Sequence, residues 1–124
     1  MAKTVMIIDD AQSMRQVVSL SLNDAGYTII EAADGVDALQ KLKGDVVDMF
    51  ICDVNMPNMD GMTFLKTVRS DAEYGDYKFT PFIMLTTEIG EDIKKKGKEL
   101  GANAWIVKPF KPDQLIDAVK KLMK

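Results

Sequence analysis

The chain reads as an α/β protein: a five-stranded, all-parallel sheet wound on both faces by helices. Three observations predict this. Five short apolar runs recur along the 124 residues, and each is followed by apolar residues spaced three and four apart, the period of a helix with one buried stripe. Strand and helix patterns alternate throughout, so right-handed crossovers place helices on both sheet faces. Four of the runs end abruptly in carboxylates, hydroxyls or a lysine, as expected where strands of an open parallel sheet surface at their carboxyl ends.

The first run, Val5 to Ile8, stops at Asp9-Asp10. Met14, Val17, Val18, Leu22 and Ala25 then mark a helix closed by Gly26. Tyr27 to Ile30 is the second strand. Asp34 is a candidate cap for a short helix carrying Val36, Leu39 and Leu42, which stops at Gly44. Met49 to Cys52 is a third, buried strand that meets Asp53 where it must surface. Pro57-Asn58 and Asp60-Gly61 are turn signals, after which Met62, Leu65 and Val68 mark the third helix.

Residues 70–78 are polar, contain Gly75, and read as the longest loop or a frayed helix end. Pro81 opens the fourth strand, and Phe82 to Leu85 run into Thr86-Thr87. A fourth helix is expected from Glu88 to Leu100. Its stripe of Ile89, Ile93 and Leu100 is thin, and Gly90 and Gly97 each weaken a helix by about 1 kcal/mol relative to alanine. Such low local stability suits a switching element, so the surface of this helix, Trp105 and the last helix is the expected partner face. Gly101 ends the fourth helix, Trp105 to Val107 is the fifth strand, and Lys108-Pro109 follows it. Pro112 takes the first position of a last helix, which buries Leu115, Ile116, Val119, Leu122 and Met123.

Length and pattern together predict one domain over residues 1–124, with no internal repeat, low-complexity segment or linker. A net charge of −3 gives no sign of general nucleic-acid affinity. With no histidine and a single cysteine, Cys52, the chain has neither an internal disulfide nor a cysteine–histidine metal cluster. Cys52 reads as a small buried apolar residue. The first apolar run is cut by Asp9-Asp10 before it reaches the length of a signal-peptide core, and no run approaches a membrane span. A cytoplasmic protein without membrane insertion is therefore expected.

If Asp9, Asp10 and Asp53 converge, each pair at about 4 Å repels by about 4 kcal/mol at an effective dielectric of about 20. Such a site calls for a cation or a proton. Oxygen ligands without histidine or thiolate suit a hard ion, and Mg2+ commonly shares one or two carboxylates with waters and a phosphate oxygen. Lys108 suits a phosphoryl group as a point charge, and Thr86 as a hydrogen-bond donor. A carboxylate not wholly held by metal can act as a nucleophile and form an aspartyl phosphate. Asp53 is the choice, because it lies between the acids of the first strand and the lysine after the fifth.

Asp9-Asp10, the segment Asp53-Val-Asn-Met-Pro-Asn-Met-Asp-Gly61, Thr86 and Lys108-Pro109-Phe110 resemble the signature of two-component response-regulator receiver domains, above all the single-domain, CheY-like chemotaxis type. The likeness spans essentially the whole chain. It implies strand order 2-1-3-4-5, phosphorylation of Asp53 by a sensor histidine kinase, and magnesium held by Asp9, Asp10, Asp53 and the backbone carbonyl of Asn55. Lys108 would contact the phosphoryl group, Thr86 would move toward it, and Trp105 would take the place of a rotating aromatic. A cis Lys108-Pro109 bond is implied as well. Trp105, Thr87 and Lys111 depart from the commonest residues at their positions, whereas Asn55 and Glu88 agree with chemotaxis-type members.

Plainer roles exist for each residue. Asp10 caps the first helix, Asp60-Gly61 is only a turn, Thr86 or Thr87 caps the fourth helix, Trp105 is packing, and Lys108 is a solvated lysine. Lys94-Lys95-Lys96 reads as a solvated face, or as a patch that steers an acidic partner. Joint placement at strand ends favours the functional roles. Competing motifs fail: a calcium loop begun at Asp53 finds Phe64 where it needs glutamate, and neither a Walker A sequence nor a dinucleotide glycine fingerprint is present. An Asp-x-Asp phosphatase motif and a hydroxyl-rich flavin loop are missing after the first strand.

Two functions stay open. One is a monomeric, phosphorylation-switched binding module, no enzyme beyond its own phosphorylation and dephosphorylation, whose target is a protein such as a flagellar motor component and which a phosphatase resets. The other is a phosphorelay intermediate that passes the group to a histidine phosphotransfer protein.

Overall fold

The computed structural model describes residues 2–44 and 46–123. Met1, Asp45 and Lys124, which the expected domain includes, lie outside the described residues. The elements follow as β1 (Thr4–Ile8), α1 (Gln12–Asp24), β2 (Thr28–Ala32), α2 (Gly35–Leu42), β3 (Met49–Cys52) and α3 (Gly61–Ser70). A 3-10 helix (Ala72–Tyr77), β4 (Phe82–Thr86), α4 (Glu91–Leu100), β5 (Ala104–Val107) and α5 (Pro112–Leu122) complete the chain. The strands pair in the order β2-β1-β3-β4-β5, all parallel. This is the predicted doubly wound class.

Alternation along the strands divides the apolar side chains between two cores. Met6, Ile8, Phe50, Cys52, Phe82 and Met84 face one side with residues of α2 and α3, joined by Trp105 and the thin stripe of α4. Val5, Ile7, Met49, Ile51, Ile83, Leu85 and Ile106 face the other, against Val18 and Leu22 of α1 and Leu115 and Val119 of α5. On the first side Phe50, Phe64 and Phe82 pack ring to ring, with centroids 5.4 Å (Phe50 to Phe64), 5.6 Å (Phe50 to Phe82) and 6.0 Å (Phe64 to Phe82) apart. Central strands buried on both faces leave only their ends for polar chemistry.

Several boundaries differ from the sequence reading. β2 runs from Thr28 to Ala32 rather than from Tyr27 to Ile30, because Thr28 to Ala32 pair in register with Thr4 to Ile8. The Tyr27 amide instead donates to the Leu22 carbonyl and finishes α1. Residues 72–77 form a 3-10 helix started by Asp71, whose carboxylate accepts from the Glu73 amide. Asp60-Gly61 is more than a turn: Asp60 caps α3 by accepting from the Thr63 amide at 2.7 Å.

α4 begins at Glu91 with Gly90 as its cap residue, so Gly90 does not weaken the helix interior and Ile89, 71% exposed, lies outside the stripe. Gly97 does lie inside, and a Cβ there would stand 2.7 Å from Cζ3 of Trp105. The glycine makes room for the indole. Among the described residues no helix is long and apolar enough to cross a membrane.

Candidate functional site

β3 ends at Cys52, and the next residue, Asp53, is still buried when it leaves the sheet. Its carboxylate is set by its own backbone: Oδ1 accepts from the Val54 amide at 2.7 Å and more weakly from the Asn55 amide at 3.4 Å. α3 closes over this point, with the Gly61 amide bonded to the Val54 carbonyl at 2.9 Å. A side chain at Gly61 would collide with the Asp53 carbonyl. Only a residue without Cβ allows the helix so near.

One strand away, β1 delivers Asp9 and Asp10. Asp9 is buried, and Asp10 is exposed. A carboxylate oxygen from each of Asp9, Asp10 and Asp53 lies within 4.8 Å of the other two. Asp10 does not cap α1, whose N-cap is Ala11 without a side-chain hydrogen bond. Asp9 is gripped at several points: its amide donates to the Ala32 carbonyl, Oδ1 accepts from the Ala11 amide at 2.9 Å, and its carbonyl accepts from Nη1 of Arg15.

Lys108 enters from the far end of β5, after its amide has bonded the Thr86 carbonyl. The bond from Lys108 to Pro109 is cis, as the resemblance implied. Its Nζ donates to Asp9 Oδ2 at 2.7 Å and to Asp53 Oδ2 at 2.9 Å. It is no solvated lysine: its side chain is 11% exposed. Burial alone would push the ammonium's pKa down, but the hydrogen bonds and charges of Asp9 and Asp53 outweigh it and hold the pKa above the ordinary lysine value.

Thr86, fully buried, ends β4 with its hydroxyl accepting from the Glu88 amide at 3.3 Å, which is a local turn and not the cap of α4. Glu88 also reaches back, its carboxylate accepting from Asn55 Nδ2 at 2.9 Å. The carbonyl of the same residue accepts from Trp105 Nε1 at 3.0 Å. Trp105 thus lies half-buried over α4, tied through Glu88 to the rim of the acidic site.

All the predicted side chains except Trp105 therefore gather at one end of the sheet. An all-oxygen trio of carboxylates, one exposed to solvent and two bridged by an ammonium, fits a hard divalent cation such as Mg2+ better than a soft metal. Sequence reading passed over Arg15 and Glu31. The signal was present in Glu31, a charge inside an apolar strand, but ending that strand at Ile30 hid it.

A family model described as the response regulator receiver domain matches residues 5–120. Chemotaxis protein CheY1 of Helicobacter pylori is 36% identical over 96% of this chain and 95% of its own length. PhoP of Bacillus subtilis, an alkaline phosphatase synthesis transcriptional regulatory protein, is 32% identical over the whole chain, which spans 50% of that protein. The solved structure of chemotaxis protein CheY4 from Vibrio cholerae superposes with a TM-score of 0.90 at 45% identity, covering 98% of this chain and 99% of that one.

Proposed function

Because the chain belongs to the response regulator receiver family and is of the CheY type, we propose that it is a chemotaxis-type phosphorylation switch whose acceptor is Asp53. The observation that carries this reading is the ammonium of Lys108 bridging Asp9 and Asp53 beside a third acid, Asp10. An Asp53 carboxylate oxygen attacks the phosphorus of a phosphohistidine on a sensor histidine kinase. The phosphorus–nitrogen bond breaks, its electron pair returns to the imidazole, and an acyl phosphate forms on Asp53. Hydrolysis runs by attack of water on the same phosphorus, which frees the Asp53 carboxylate and inorganic phosphate.

Asp9, Asp10, Asp53 and the carbonyl of Asn55 would hold Mg2+, which when bound neutralises charge on the transferring oxygens. The Val54 amide fixes the carboxylate rotamer, and Lys108 exchanges one carboxylate for a phosphoryl oxygen. Thr86 turns its hydroxyl from the Glu88 amide toward the phosphoryl group, and Trp105 follows it inward. The protein does no chemistry on other substrates.

In this reading residues 1–124 form one receiver acting as a monomer in the cytoplasm. The target protein, such as a flagellar motor component, docks along α4, β5 and α5, where a groove of about 600 Å³ is lined by Glu91, Lys94, Lys98, Asn103 and Trp105 among others. A phosphatase resets the switch. Acetyl phosphate with magnesium should label wild type and shift its indole emission, and Asp53→Asn should do neither. Stable label on folded Asp53→Asn would refute the assignment of the acceptor. Transfer of the label to a histidine phosphotransfer protein, in place of hydrolysis, would establish the relay instead.

A further inference from the structure

Arg15 lies on the first turn of α1, its side chain 16% exposed. Its Nη1 donates to the carbonyl of Asp9, while Nε donates to Glu31 Oε1 at 3.3 Å. Ser19 Oγ bonds the other oxygen of Glu31 at 3.4 Å, and Lys41 Nζ takes the Glu31 backbone carbonyl. The edge strand β2 therefore presents a fixed carboxylate to Arg15, and Arg15 presents a fixed donor to Asp9.

The Asp9 carbonyl belongs to the peptide plane that joins Asp9 to Asp10. Asp9 needs no help from Arg15 to hold its own side chain, since Ala11 and Lys108 already bond it. Asp10 is exposed, and no side-chain hydrogen bond is described that orients it. The orientation of the shared peptide plane is what sets the direction in which Asp10 leaves the strand end. A guanidinium so near a cation site would by itself repel the ion, and the ion pair with Glu31 offsets this.

We propose that Arg15 is a positioning residue for the cation site, which aims Asp10 by holding the Asp9 carbonyl, with Glu31 as the counter-charge that makes a cation tolerable there. The proposal rests on the reading of Asp9, Asp10 and Asp53 as a Mg2+ site. Outer groups that orient ligands commonly change metal affinity by about 10- to 100-fold.

The test is calorimetric titration of MgCl2 into wild type, Arg15→Ala, Arg15→Lys and Glu31→Gln, each at a temperature where circular dichroism shows the native fold. The apo unfolding midpoint is measured in parallel. Arg15→Ala is expected to weaken magnesium binding by about tenfold. Arg15→Lys keeps the charge but lacks the fork that serves two acceptors, and its loss should be smaller and in the same direction. Glu31→Gln should also weaken binding, and added salt should shrink its deficit.

An Arg15 that is only a nearby charge predicts the reverse, tighter binding in Arg15→Ala. An Arg15 that only braces α1 against β2 lowers the apo midpoint and leaves the dissociation constant unchanged. Either result overturns the proposal. Should Arg15→Ala fail to fold, Arg15→Lys and Glu31→Gln decide it alone, and unchanged affinity in both would refute it. A wild type that binds no magnesium refutes the underlying site reading, a different failure from wild-type binding that Arg15 does not influence.

Discussion

Replacing Lys108 by methionine removes the cation between Asp9 and Asp53 while keeping most of the side chain's apolar length. The two carboxylates it bridges at 2.7 and 2.9 Å would then face each other across the strand ends with Asp10 beside them. Breaking a buried ion pair on one side costs about 3–5 kcal/mol. The lower end applies, because Asp10 opens one edge of the site to water, so about 3 kcal/mol is expected for the metal-free protein. That loss moves the thermal midpoint of a domain of this size down by about 10 °C.

Magnesium should return much of the loss, since stabilisation by a ligand grows as RT ln(1 + [L]/Kd) and the variant no longer has an ammonium competing for the same oxygens. The pH dependence has a definite sign. Because the folded pKa of Lys108 is raised, its contribution is complete below the ordinary lysine value of about 10.4 and is lost as pH rises through the folded value. The stability gap between wild type and Lys108→Met should therefore close in strong alkali. Urea unfolding followed by circular dichroism, with and without magnesium, measures all of this. A metal-free variant as stable as wild type would refute the reasoning.

Gly97→Ala gains about 1 kcal/mol of helix propensity but puts a methyl group 2.7 Å from Trp105 Cζ3, and overpacking of this kind costs about 1–3 kcal/mol. The urea midpoint should fall and the indole emission should move, whereas a more stable variant with unchanged emission would show that the ring yields freely. Asp34→Ala removes both the cap on the Asp37 amide and the anchor of Asn58, each at 2.8 Å, and should cost about 1 kcal/mol at neutral pH. The hydrogen bond from the Asp37 amide, aided by that from Asn58, holds the Asp34 pKa below the ordinary value. The charge-dependent part of its contribution is present above that ordinary value and is lost as pH falls through the folded one, so the deficit of the variant should shrink in acid. A deficit that does not change with pH would mean that the carboxylate charge plays no part in the cap.

Strand ends were legible because burial on both faces makes their apolar runs continuous, and a charge such as Asp9 or Asp53 marks the point where burial stops. Lys108 was legible for the same reason. What the sequence hid were relations between distant residues. Gly97 looks like a helix weakener until Trp105 is laid over it, and Asp60-Gly61 looks like a turn until the Asp53 backbone is found against the glycine. Local pattern alone misplaces the start of α4, since Ile89 has the spacing of a core residue and yet stands outside the helix. In the same way the apolar run ends β2 early, at Ile30, because Glu31 breaks it and the pairing of Glu31 with Ile7 cannot be read from either strand by itself.

Cys52 is the last residue of β3 and fully buried; burial, and next the neighbouring Asp53 charge, push its thiol pKa well above the ordinary range. Only a thiolate reacts readily with alkylating reagents, so in the native state this sulfur is both shielded and chemically inert. Modification requires the strand beside Asp53 to come out of the sheet. The chain thus carries a native clock: the rate at which a thiol reagent marks Cys52 reports how often the strand leading to Asp53 opens, with no engineered label.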